Sequence, residues 1–168
     1  MRLAGRKAFI TGAAKGIGLA VAKAFAAEGA DVALADMTAD GARAEAAAIV
    51  ANSGVKAIGL ECDVADSVSL KAAVDEAAAT LGSLDTLACM AATLTARQDV
   101  VDLSEEDWDR TMRVNINGSF LACKHAIPHM RVAGRGSIIL TASQMGQVAW
   151  PGSTAYCTTK GAILQLVK

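Results

Sequence analysis

Short apolar runs alternate with longer helical patterns along the whole chain, and this alternation leaves few folds open. The runs are Lys7–Thr11, Asp31–Asp36, Lys56–Glu61, Thr86–Met90 and Gly136–Ala142. Each is continuous rather than alternating with polar residues, so each is expected to be a strand buried on both faces. Between them, Gly16–Glu28 carries Ile17, Leu19, Ala20, Ala24 and Phe25 in a wide apolar stripe, with Gly29 placed to end the helix. Ala39–Asn52 is an alanine-rich helix stopped near Gly54, and Ser67 is placed to cap a helix running to Leu81. Ser104, with Asp107 three residues on, opens a long helix through Trp108, Met112, Val114, Phe120 and Leu121. Pro128 predicts a kink or break near the end of that helix. A last helix starts at Thr154. Buried strands alternating with helices imply an α/β fold: a doubly wound parallel sheet, helices on both faces, right-handed crossovers.

The 168 residues make one domain, 1–168, with no linker or repeat. Hydrophobic residues are 53% and charged residues 20%, which excludes a disordered chain. The net charge of −1 and the lack of a basic tract argue against a nucleic-acid partner. Cys62, Cys89, Cys123 and Cys157 are widely spaced, which suggests reduced thiols rather than a zinc site or a disulfide framework. Arg2, Arg6 and Lys7 before an apolar run superficially suggest a signal peptide, but Gly12, Lys15, Gly16, Gly18 and Lys23 interrupt it. A soluble, cytoplasmic protein without a membrane span is the expectation.

Three stretches carry chemistry. Thr11–Gly18, with Gly12, Gly16 and Gly18 in a G-x3-G-x-G pattern, joins the first strand to the first helix. Glycines there let the backbone approach a pyrophosphate seated on the helix N-terminus, although a glycine-rich turn can also be purely structural. Asp36 ends the second strand, where a carboxylate can accept from ribose hydroxyls and repel a 2′-phosphate, or can cap a helix. Lys15 pulls the other way, toward NADP, unless it is only a solvated loop charge. Tyr156, the single tyrosine, precedes Lys160 by four residues, so on a helix the two share a face. Ionising a phenol near neutral pH requires on the order of 4 kcal/mol. One ammonium about 4 Å away at an effective dielectric near 20 supplies about that much. His125 and His129 lack a third ligand in sequence and read as ordinary helix residues, so no metal site is expected. Trp150 is either core or a rim contact to substrate, and Trp108 reads as packing.

The combination resembles the short-chain dehydrogenase/reductase family of the single-domain type. The matching residues are Thr11-Gly-x-x-x-Gly-Ile-Gly18, Asp63-Val64 after the third strand, Val114-Asn115-x-x-Gly118, Ser143, and Tyr156-x-x-x-Lys160. They occur in the family's order from one end of the chain to the other. The resemblance implies a Rossmann-type sheet of order 3-2-1-4-5 and NAD as cofactor, with NADP left open. It implies interconversion of a secondary alcohol and a ketone, and a dimer or tetramer. Residue by residue, it makes Tyr156 the general acid/base. Lys160 grips the nicotinamide ribose and favours the phenolate, Ser143 bonds the substrate oxygen, and Asn115 holds a water that links Lys160 to solvent. It puts Gly12, Lys15, Gly16, Ile17, Gly18, Asp36, Asp63, Val64 and Ala91 against the dinucleotide, with Tyr156 and Lys160 at its nicotinamide end. From the residues alone, Asn115 can also be a backbone-satisfying amide, Ser143 a strand-end turn, and Asp63 an exposed carboxylate or helix cap.

Two departures from the family carry expectations. After the fourth strand the family's Asn-Asn-Ala-Gly is replaced by Cys89-Met90-Ala91-Ala92, which predicts a weaker or differently bonded sheet centre. The family's pattern also continues beyond Lys168 with further strands and a substrate-covering loop, so the fifth strand is expected to be an open edge. A nucleotide-binding chain without turnover is the rival expectation.

Overall fold

The computed structural model describes residues 1–168. Its strands are β1 (Lys7–Thr11), β2 (Asp31–Asp36), β3 (Ala57–Glu61), β4 (Thr86–Cys89) and β5 (Ser137–Leu140). The helices are α1 (Gly16–Ala27), α2 (Ala39–Ser53), α3 (Ser67–Leu81), α4 (Glu105–Met112), α5 (Gly118–Ala133) and α6 (Thr154–Leu166). All strand pairs are parallel and the sheet order is β3-β2-β1-β4-β5, the expected Rossmann-type arrangement.

Alternate residues of the central strands feed two cores. Phe9, Ala33, Leu60, Leu87 and Cys89 point to one face, packed by Leu70, Val74 and Leu81 of α3 and Ala122, Ala126 and Met130 of α5. Ala8, Ile10, Val32, Leu34 and Ala88 point to the other, under Ala22 and Ala26 of α1 and Ala42, Ala46 and Ile49 of α2. The alanine-rich second face lets helices lie close. A Cβ on Gly59 of β3 would stand 2.3 Å from the Ala42 backbone. Each fully buried Phe, Leu or Val contributes roughly 1.5–3 kcal/mol.

Four local expectations change. The cap of α3 is Asp66, whose carboxylate accepts from the Val68 N–H, not Ser67, which lies one residue inside the helix. Pro128 does not break α5, which runs unbroken to Ala133. Pro128 and Lys124 are both exposed, so the Lys124 carbonyl freed by the proline faces water. The long helix from Ser104 is interrupted by a π turn, Arg113–Asn117, which no sequence signal announced. Finally, β5 is apolar but not buried: it pairs only with β4, and Ile138 and Ile139 are 38% and 40% exposed. It is the open edge that the family comparison implied.

Candidate active site

The strand order reverses between β1 and β4, and a crevice opens beyond their C-terminal ends. Thr11 closes its floor. The Oγ1 of Thr11 accepts from the N–H groups of both Met90 and Ala91, at 3.1 Å each. One hydroxyl thus joins the loops after β1 and β4. Cys89 leans on Cys123 of α5 instead, with the Cys123 hydrogen bond and burial together pushing the Cys89 thiol upward.

The cleft holds about 660 Å³, within the roughly 300–1,000 Å³ of small-molecule sites. Gly12, Lys15, Ile17, Gly18, Asp36, Asp63, Val64 and Ala91 all line it; Gly16 takes a left-handed turn (φ +58°) beside it without forming its wall. Two glycines are required by contact. A Cβ on Gly12 would lie 2.8 Å from the Ala91 Cα, and one on Gly18 would lie 2.2 Å from the Gly12 carbonyl oxygen. Both positions are already taken by backbone, so these glycines let the loops after β1 and β4 close tightly around the α1 N-terminus, whose N–H groups can meet an anion. Gly118 has a parallel reason, since its Cβ would press on Val64 at 3.0 Å.

Asp36 accepts from Ala14 N–H at 3.0 Å through Oδ2 and from Thr38 N–H at 2.9 Å through Oδ1. Each oxygen retains a lone pair for a hydroxyl donor. Asp63 accepts from Ala65 N–H at 2.9 Å in a tight turn, while its own N–H donates to Ser69 Oγ at 3.0 Å. Cys62 also lines the cleft. Burial, with Asp63, Asp36 and Asp66 nearby, pushes its thiol up to about 12, so it is an unreactive wall.

Tyr156, Lys160, Ser143 and Asn115 do not line this cleft. Tyr156 is half-buried and Lys160 buried on α6, with the Lys160 Nζ 5.5 Å from the Tyr156 ring centroid. Lys160 is only 3% exposed, and burial lowers its pKa from the usual lysine value. Its Nζ donates to the Thr141 carbonyl at 2.6 Å, leaving two N–H donors for other partners. Ser143 Oγ accepts from Met145 N–H at 3.1 Å, opening a 3-10 turn at Gln144–Gly146. That turn packs against α6 so closely that a Cβ on Gly146 would lie 2.5 Å from the Lys160 carbonyl oxygen.

Asn115, 1% exposed in the π turn, joins the two regions. Its Oδ1 accepts from Thr93 N–H at 2.7 Å, and its Nδ2 donates to Thr93 O at 2.9 Å and to Thr159 Oγ1 at 3.2 Å. Thr93 lines the cleft, and Thr159 neighbours Lys160. Asn115→Ala leaves both Thr93 backbone groups without their partner, so a loss of about 2–3 kcal/mol is expected, read as a lower urea midpoint at unchanged slope. His125 and His129 do not face each other: His125 bonds Ser67 Oγ at 3.1 Å and His129 bonds Asp75 Oδ1 at 2.8 Å, both on α3.

Sequence reasoning missed Thr93, Thr141 and Thr159, and took Thr11 only as the start of the glycine motif; their long-range partners come within reach only in the fold. It also passed over Arg110 and Arg113, which line the cleft.

Residues 6–168 match the family model described as short chain dehydrogenase. D-threitol dehydrogenase of Mycolicibacterium smegmatis is 41% identical over 167 residues, covering 99% of this chain and 64% of that protein. Sorbitol dehydrogenase of Cereibacter sphaeroides is 38% identical, covering 100% of this chain and 64% of that one. The chain thus spans somewhat less than two thirds of the length of these relatives. Carveol dehydrogenase from Mycobacterium avium, solved in complex with NAD, superposes with a TM-score of 0.93 at 31% identity, covering 98% of this chain and 64% of that structure. The sheet order, the glycine contacts at the β1–β4 crevice and the sequence match along nearly the whole chain agree: this chain belongs to the short-chain dehydrogenase family.

Proposed function

We propose that the chain carries the machinery of an NAD(P)-dependent oxidoreductase that interconverts a secondary alcohol and a ketone, with NAD preferred. The observation that carries this reading is the buried Lys160 ammonium, anchored on Thr141 beside Tyr156 and joined to the cleft wall through Thr159, Asn115 and Thr93.

The cleft fits a dinucleotide by the chemistry of its walls: Gly16, where a built Cβ meets no atom within 4 Å, leaves open space at the α1 N-terminus, and both Asp36 oxygens keep acceptor capacity. Backbone groups of Gly12, Lys15, Gly16, Ile17 and Gly18 would hold the pyrophosphate, Asp36 the adenosine ribose, and Asp63, Val64 and Ala91 the adenine. The bound nicotinamide supplies hydride acceptance or donation. Tyr156 takes the alcohol's proton as phenolate, or gives it to the ketone oxygen as phenol. Lys160 favours the phenolate by its charge and offers its two remaining donors to the nicotinamide ribose and to water. Ser143 uses its Oγ lone pair on Met145, so its hydroxyl proton is free to bond the substrate oxygen. Both Nδ2 protons of Asn115 are committed to Thr93 and Thr159. A relay water on Asn115 would therefore bond a remaining lone pair of Oδ1 or of the main-chain oxygen, which also accepts from Ser119 Oγ at 2.9 Å.

Relatives named for threitol and sorbitol support a small hydroxylated substrate. The test is NAD titration by fluorescence of Trp108 and Trp150, followed by reduced-nicotinamide absorbance with a panel of secondary alcohols. Asp36→Ala is expected to weaken NAD binding about tenfold or more, since a charge-assisted bond is lost, and to narrow the preference over NADP. Unchanged affinity for both would remove Asp36 from the ribose. A second reading, nucleotide binding without turnover, rests on Cys89-Met90 standing where the family pattern carries two asparagines. Binding without turnover, unaltered in Tyr156→Phe, would favour it.

A further inference from the structure

The loop after β4 and the loop before α6 are clasped together at a place that neither the cleft nor the proton-transfer groups explain. Trp150-Pro151-Gly152-Ser153 is a type II turn, with proline and glycine at its two central positions, Gly152 at φ +75°, and Ser153 N–H donating to Trp150 O at 3.1 Å. The turn runs directly into α6, and Cys157 N–H already donates to Ser153 O at 2.9 Å. Ser153 makes no side-chain cap, so the first turn of α6 lacks the usual local anchor. Tyr156 stands in that first turn.

Three contacts from the opposite loop hold the turn that precedes α6 instead. Arg97 Nη2 donates to Pro151 O at 3.2 Å, and the Arg97 guanidinium lies 5.3 Å from the Trp150 ring centroid. Gln98 N–H donates to Gly152 O at 3.0 Å. On the far side, Trp150 N–H reaches Cys157 Sγ at 3.5 Å, next to Tyr156. The clasp thus grips a rigid turn from one side while the turn grips the α6 start from the other. Arg97 supplies both side-chain contacts, and it does not line the dinucleotide cleft.

We propose that Arg97 is a positioning residue for Tyr156, holding the Trp150–Ser153 turn, and through it the first turn of α6, in the arrangement that proton transfer requires. The proposal rests on the reading of Tyr156 as the proton-transfer group. A cation stacked on an indole and bonded to the next carbonyl fixes the turn in two directions. Lysine keeps the charge but not the fork, so it should restore part of the effect.

The test compares wild type, Arg97→Met and Arg97→Lys. The first readout is the rate of Cys157 alkylation by iodoacetamide, followed by peptide mass. The second is kcat, KM and NAD affinity. The expected result for Arg97→Met is alkylation at least fivefold faster, kcat lower by tenfold or more, and NAD affinity within twofold, with Arg97→Lys in between. Unchanged Cys157 alkylation would overturn the proposal. So would a fall in NAD affinity parallel to that in kcat, or a lower melting temperature with neither readout moved. If the wild-type chain binds NAD and turns over no alcohol, the proposed function fails. The alkylation rates would still decide whether Arg97 holds the α6 start.

Discussion

Tyr156→Phe is expected to lower alcohol oxidation about 10³-fold while leaving NAD affinity within about twofold. The reason is local. Phenylalanine keeps the ring that packs beneath the Lys160 ammonium at 5.5 Å, so α6 loses no packing volume. Lys160 keeps its bond to the Thr141 carbonyl, and the cleft, which Tyr156 does not line, is untouched. Only the phenolic hydroxyl is lost. Reduced-nicotinamide absorbance measures turnover and tryptophan fluorescence measures binding. Turnover retained within a few-fold would remove Tyr156 from the chemistry. A parallel loss of NAD affinity would mean that the phenol's role is in binding.

Gly18→Ala is the second large effect. A Cβ at this position would lie 2.2 Å from the Gly12 carbonyl oxygen and 2.8 Å from its carbon, and both are backbone atoms that cannot rotate away. The start of α1 or the loop after β1 must shift, at a cost of about 3 kcal/mol. That shift displaces the N–H groups at the α1 N-terminus that would meet the anion, so NAD affinity should fall beyond measurable range. Gly16→Ala is the internal comparison. It meets no atom within 4 Å but is held at φ +58°, so its cost should be about 1–2 kcal/mol of backbone strain alone. Denaturant unfolding of the two variants separates clash from strain, and equal losses would show that the Gly12–Gly18 contact is not the controlling one.

What the residues revealed in advance, and what they hid, follows from the range of the forces involved. The strands were legible because continuous apolar runs bounded by glycine have few alternatives. The glycine turn and Asp36 could be placed at the cleft because each lies at a strand end, whereas Asp63 was placed there only through the family's pattern. Asp66 rather than Ser67 caps α3 because both residue types suit the position and only the chain's approach decides between them. The π turn at Asn115 was invisible because adding one residue to a helical turn leaves hydrophobic spacing almost unaltered over so short a span. The clasp at Arg97 was equally hidden: 54 residues separate it from Pro151, and nothing in either neighbourhood names the other. The exposure of Ile138 and Ile139 was legible only through likeness to longer relatives, since Ile138-Ile139-Leu140 by itself reads as a buried strand.

Asn115 has a thermodynamic corollary. One amide group bonds Thr93 on the cleft wall and Thr159 on the α6 side. If seating a ligand in the cleft steadies Thr93, the same bonds steady α6. Linkage is reciprocal, so whatever orders α6 must tighten ligand binding by the same factor. Cofactor and alcohol need not touch to bind cooperatively in such a chain. Their coupling would pass through a single side chain, and it should vanish with it.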